Sequence, residues 1–180
     1  DYVIARYLQI NFPKIHPENV KTIVNVSSGN FRMARHFAAS IDENSSIGIL
    51  NNSELFSRLF MKKDVIDNEL RKTAEICSLL FSFNVNEELQ ILSGLSDLSY
   101  KTLYRKVAEL YEMHLIQSRG EMRAILPHGL ANRLCVDFLK KTPTENIVDI
   151  FRMNYRMLLS FSRRVIYLNS STEARLCATQ

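Results

Sequence analysis

The chain has 180 residues, 46% hydrophobic and 23% charged, with only 5 glycines and 4 prolines. That composition excludes a disordered or collagen-like chain, and the length allows one domain or a few small ones around a real core. So few turn-formers favour helices over a many-stranded barrel or sandwich. Lys plus Arg (23) exceeds Asp plus Glu (19), a formal charge of +4 that permits an anionic partner without requiring one.

Three cysteines, Cys77, Cys135 and Cys177, lie far apart with no CxxC. That pattern points to buried thiols in a reducing cytosol, not to a disulfide framework or a zinc site. No apolar run approaches the ~18–20 residues of a membrane span. The start, Asp1 to Arg6, has no initiator Met and no signal-peptide layout, and the end follows what reads as a fresh helix start at Ser171 to Ala174. The expectation is a piece of a longer, cytoplasmic protein.

Along the chain, Pro17 and Glu18 suit the first turn of a helix within residues 13–26, with Val20, Ile23 and Val24 on one face. Ser27-Ser28-Gly29-Asn30 breaks it. Phe31, Ala34, Phe37, Ala38 and Ile41 then form the apolar stripe of a second helix. Residues 42–52 are polar and loop-like, and Asn52 or Ser53 caps a short helix through Leu55, Leu59 and Phe60. Asp64 is placed to cap a helix carrying Leu70, Ala74, Cys77, Leu80 and Phe81. A short helix near Glu87 to Leu95 follows, then a Ser96-Asp97-Leu98-Ser99 turn, then a helix from Tyr100 to His114 with Leu103, Val107 and Leu110 inward.

Here the period drops towards two. Leu115-Ile116-Gln117 and Met122 to Leu126 flank a turn at Ser118-Arg119-Gly120-Glu121, which reads as a β-hairpin and as the only strand pair. Three helices and a hairpin are the layout of a winged helix-turn-helix. Pro127 opens a further helix carrying Leu130, Leu134 and Phe138. Thr142-Pro143-Thr144-Glu145 has the form of a capping box, with Thr142 as the cap, and the helix it starts runs through Ile147, Phe151 and Leu158 to Leu168. The expected fold is mainly α: a small helical lid-like subdomain (1–62), a winged helix with one short hairpin (63–126) and a truncated C-terminal helical extension (127–180).

The chemistry begins with absences. The sequence has no G-x-x-x-x-G-K-[ST], no H-E-x-x-H and no G-x-S-x-G. His16, His36, His114 and His128 are scattered. No catalytic set and no metal set is expected. The first positive signal is Ser28-Gly29-Asn30-Phe31-Arg32, a flexible turn that opens a helix and presents a guanidinium in its first turn, where phosphate oxygens would be met by forked donors and free N–H groups. The plain alternative is a solvated surface arginine.

This Gly29-Asn30-Phe31-Arg32 turn, with the helix of residues 13–26 before it, resembles the sensor 2 element in the helical lid of AAA+ ATPases. It also resembles the helical subdomain of STAND-type NTPases, in which a lid is followed directly by a winged helix. Ile116 to Gly120 and Ile125 to Leu134 are similar to the winged-helix region of bacterial STAND-type ATPases, and Ser160 to Leu168 to the helical region downstream. The resemblance implies a signalling ATPase, of the kind used in bacterial defence, whose upstream nucleotide-binding domain holds ATP. It implies that Gly29, Asn30 and Arg32 meet that nucleotide, with Arg32 near the terminal phosphate. It also allows oligomerisation.

A second class of function is a winged-helix DNA-binding regulator. Lys101, Tyr104, Arg105 and Lys106 on the Tyr100 helix, with Arg119 and Arg123 on the hairpin, would set cations against phosphates. Glu109, Glu112 and Glu121 dilute that patch, and the favoured reading of the winged helix is a packing module. Arg152, Arg156 and Arg163 recur near helical spacing and would share a face, solvated or turned to an acidic partner. Leu79, Leu80, Phe81 and Phe83 read as core or a domain seam. A helical scaffold without a ligand is the third possibility.

Overall fold

A computed structural model of the chain describes residues 1–27, 29–42, 48–50, 52–62 and 65–179. The chain divides into two compact units, Asp1–Asn68 and Glu69–Gln180. Both are dominated by helices, as the scarcity of Gly and Pro implies.

The first unit holds α1 (Tyr2–Asn11), α2 (Pro17–Ser27), α3 (Phe31–Asp42), α4 (Asn52–Arg58) and two short antiparallel strands, β1 (Met61–Lys62) and β2 (Val65–Ile66). Leu8, Ile23, Phe37 and Phe60 are fully buried at its centre. Buried Asn19 ties the far loop to α2: its Nδ2 donates to Gly48 O at 3.0 Å and its Oδ1 accepts from Leu50 N at 2.7 Å. The β1–β2 pair was not foreseen, because two-residue strands leave no period to read. Asp64, the expected cap, lies outside the described residues.

The second unit begins with α5 (Asn68–Ser78), β3 (Phe83–Asn84), α6 (Glu88–Ser93), α7 (Tyr100–Glu112), β4 (Ile116–Arg119) and β5 (Met122–Ile125). The strands form an antiparallel sheet in the order β3-β5-β4. The expected hairpin is present, with Arg119 opposite Met122 across a turn of Gly120 and Glu121. Gly120 sits at φ +58°, a conformation L side chains resist, so it supplies the turn. β3 is a third strand that the sequence reading omitted. Ser99 caps α7 through Thr102 N at 3.1 Å. The helix stops two residues before the expected His114, because His114 turns left-handed (φ 59°) and Leu115 N closes on Leu110 O at 2.9 Å.

Four more helices complete this unit: α8 (His128–Leu139), α9 (Thr144–Arg152), α10 (Tyr155–Ile166) and α11 (Thr172–Thr179). The single helix expected from Thr142 to Leu168 is two helices. Inward positions one turn after Phe151 carry Asn154 and Tyr155 in place of apolar residues, which interrupts the stripe. Asn154 takes an extended backbone and caps α10 through Met157 N at 3.1 Å. The expected Thr142 cap is also absent: Pro143 takes the cap position of α9, with no side-chain bond.

A polar clasp holds α10 to the segment between α5 and β3. Phe81 N donates to Ser160 O at 3.1 Å, and Ser82 N to Ser160 Oγ at 3.0 Å. Ser160 Oγ returns a bond to Ser82 O at 2.6 Å. Arg156 pairs with the buried carboxylate of Glu88 and reaches Ser82 O. Arg164, fully buried, donates to Asn132 Oδ1 at 2.8 Å and to Leu80 O at 3.3 Å, with its guanidinium 5.4 Å from the centre of the Phe81 ring. Phe83, Leu80, Leu134 and Phe151 fill the apolar space around this clasp.

Removing the buried guanidinium strands the buried Leu80 carbonyl and the half-buried Asn132 amide oxygen, and leaves a void. Arg164→Ala is expected to lower the unfolding free energy by ~3–5 kcal/mol, from unpaired acceptors and the cavity together. Its exposed neighbour is the control: Arg163→Ala should stay within ~0.5 kcal/mol of the parent. Urea unfolding followed by circular dichroism reads both. The Phe81 stack adds a pH test. The exposed His128 ring lies parallel to Phe81 at 4.7 Å, and burial, then the charge of Arg164, lowers its pKa. The unfolded imidazole therefore takes its proton first as pH falls below the ordinary histidine value, and stability drops across that window. The loss between pH 7 and pH 5 should be smaller in His128→Gln.

Candidate functional site

The Gly-Asn-x-Arg turn lies in the first unit. Ser28 is outside the described residues. Ser27 is the last residue of α2, and Asn30 N donates back to Ser27 O at 2.9 Å. Gly29 has φ +78°, and a Cβ added there would meet nothing within 4 Å, so backbone conformation, not crowding, is what calls for glycine. Asn30 Oδ1 accepts from Met33 N at 3.0 Å and caps α3. Arg32 is exposed in the first turn of α3, which contains no acidic residue. A cation at the positive end of a helix opposes the helix dipole. Helix stability is therefore no reason for Arg32 to be there.

In the second unit, the six residues of the nucleic-acid reading divide. Lys101, Tyr104 and Arg119 are exposed. Arg105 is exposed too, with Nη2 at 3.4 Å from Glu69 Oε2. Lys106 is only 6% exposed, and its ammonium donates to Glu109 Oε2 at 3.1 Å. Arg123 is half-buried and spends its Nη1 on Gly120 O at 2.6 Å and Met122 O at 3.1 Å, where it secures the wing turn. The carboxylate of Glu121 is also internal to the wing, accepting from Asn84 and Asn86. The structure brings Lys101, Tyr104 and Arg105 together on the outer side of α7.

The shared arginine face is not formed. Arg152 closes α9 at 3.4 Å from Asp149, Arg156 is drawn to Glu88, and Arg163 points to solvent from α10. The break before Asn154 puts Arg152 on a different helix from the other two, so their spacing carries no common phase. The pair Arg163-Arg164 reads from the sequence as part of a solvated helix face, yet Arg164 is fully buried. Its signal was present: it falls three residues after Phe161 and seven after Met157, on the apolar stripe of α10, where a charge must find buried acceptors.

Among the described residues, no group of His, Cys, Asp or Glu has the arrangement of a metal site. None of their helices is long and apolar enough to cross a membrane. All three cysteines are free and buried, as their odd count and wide spacing suggest. Burial pushes Cys77 far up, Cys135 up to about 12 and Cys177 up to about 11. At pH 8 their thiolate fractions are negligible, and thiolate is the reactive form. Ellman's reagent at that pH should find no fast-reacting thiol in the native protein and all three after denaturation in guanidinium chloride. One thiol labelled within seconds in the native state would contradict this.

Comparison with protein-family models, with curated proteins and with solved structures finds no match to this chain.

Proposed function

We propose that the chain is the regulatory lid and winged-helix part of a STAND-like signalling ATPase, in which Arg32 contacts the terminal phosphate of ATP held by a nucleotide-binding domain outside these residues. The observation that carries this reading is the turn itself. Gly29 ends one helix, Asn30 caps the next, and an exposed guanidinium stands in its first turn where it does nothing for the helix. Differential contact of Arg32 with ATP and ADP would then bias the position of the lid, a switch driven by the difference in binding energy between two states. The winged helix serves such a switch as a packing module, with Lys106 and Arg123 turned to internal bonds.

In the intact protein with its nucleotide-binding domain, Arg32→Ala should weaken ATP binding about 10-fold or more while leaving ADP affinity and the fold unchanged, the scale of one lost charge-assisted bond. Calorimetric titration with both nucleotides reads this, and equal ATP affinity in parent and variant removes the proposal.

The exposure of Lys101, Tyr104 and Arg119 favours one second reading, contact with duplex DNA. With so few free cations, the plot of log affinity against log salt should have a slope no steeper than about −3. Anisotropy titrations of a labelled duplex at two salt concentrations measure it. Lys106→Ala should not alter the slope, and absence of binding at low salt eliminates the reading.

A further inference from the structure

Apart from the Arg32 turn, and sharing Arg119 and Arg123 with the nucleic-acid reading, the second unit contains a groove of about 370 Å3 along one face of the β4–β5 hairpin. Alternation along the strands puts Gln117, Arg119, Met122 and Ala124 on this face, with Arg119 paired to Met122 and Gln117 to Ala124. Arg163 from α10, Arg123 from β5, and Phe81 with His128 line it as well. Its volume lies within the range of small-molecule sites.

The charge of this groove has one sign. No carboxylate is among the residues that line it. Arg119 and Arg163 are both exposed. Arg164, fully buried at 5.4 Å from the Phe81 ring, bonds an amide oxygen and a carbonyl and adds a positive charge nearby. Helix α8 begins here at His128, with Pro127 in the cap position and no side-chain cap bond, so the positive end of its dipole adds to the same field.

The lining is not only cationic. Met122, Ala124 and Leu126 give the groove an apolar floor. The Phe81 and His128 rings are parallel within 21°, and the His128 side chain is exposed. A bare inorganic anion would leave that floor and the ring unused. A neutral ring compound would leave two guanidinium groups without partners. An acidic peptide answers the charge and not the stack.

We propose that this groove binds a nucleoside phosphate, with the base against the His128–Phe81 stack and the phosphate held by Arg119 and Arg163. Rings of this kind accept bases by stacking whatever their identity, and guanidinium forks match phosphate oxygens. The ligand is either a free nucleotide or one nucleotide of a single strand. The site is independent of Arg32 and of the fate of that reading.

Calorimetric titration of the 180-residue chain with AMP, adenosine, inorganic phosphate and oligo-dT tests the proposal. AMP should bind more tightly than adenosine or phosphate alone. Arg119→Ala, Arg163→Ala and His128→Ala should each weaken AMP about 10-fold or more, the scale of a lost charge-assisted bond or stacked base. Arg32→Ala should leave AMP affinity unchanged. AMP tighter than oligo-dT identifies a free nucleotide, and the reverse a strand, and both support the site provided that the arginine variants weaken them. No binding of AMP or oligo-dT at millimolar concentration overturns it. So does AMP binding that survives the Arg119→Ala/Arg163→Ala double variant, or that is displaced equally well by a poly-glutamate peptide.

Discussion

A guanidinium with no carboxylate beside it sits inside residues 69–180. Arg164 is fully buried, against an amide oxygen, a backbone carbonyl and an aromatic ring. Taking such a charge out of water is costly, and burial lowers its pKa. Only fixed dipoles and the ring face offset that cost, and all of them come from parts of the chain that precede α10: Leu80 and Phe81 after α5, and Asn132 on α8. The charge can be satisfied only if the helix that bears it is docked. Ser160 and Arg156, one and two turns earlier on the same helix, grip the same segment. The three-stranded sheet with its helices and the helices after it therefore form one compact unit, held by buried polar bonds as well as by apolar packing.

How much of this was legible follows from where the information sits. The helices around Phe37 and around Leu103 announced themselves because several apolar residues repeat at helical spacing. The hairpin announced itself because Gly120 punctuates a period-two stretch. β1, β2 and β3 were invisible for the opposite reason, since a two-residue strand has no period and exists only through its partner. The break at Asn154 lay between two signals: a capping residue argued for a start there, and the apolar residues on both sides argued for continuity. The clasp could not be read at all. Its bonds join residues 32 to 84 positions apart, and no local rule says which carbonyl a buried arginine will find.

The fold sorts the cations. A composition of 23 basic residues suggests a broad positive surface, yet several of the strongest candidates are spent on the fold. Arg156 neutralises Glu88, Lys106 bonds Glu109, Lys141 and Arg71 share the buried Glu75, and Arg123 holds the wing turn. Of the cations singled out in the sequence, those left exposed are spread over separate elements: Arg32 on α3, Lys101 and Arg105 on α7, Arg119 on β4, Arg152 on α9 and Arg163 on α10. Sparse guanidinium groups suit a small anion better than a long polyanion, because duplex affinity grows with the number of phosphates neutralised.

The clasp also limits where a switch could bend. A hinge needs a few residues whose dihedrals change without breaking buried bonds. The sequence marks a boundary at residues 126–127, where hairpin gives way to helix. Rotation there would pull α8 and α10 from the segment at Leu80 to Ser82, and would leave the Arg164 charge and several backbone groups buried without partners. Each stranded group costs about 1–3 kcal/mol, and a charged one more. A rotation at residues 126–127 therefore costs several such losses at once, and the bonds of the clasp hold residues 69–180 as one compact unit.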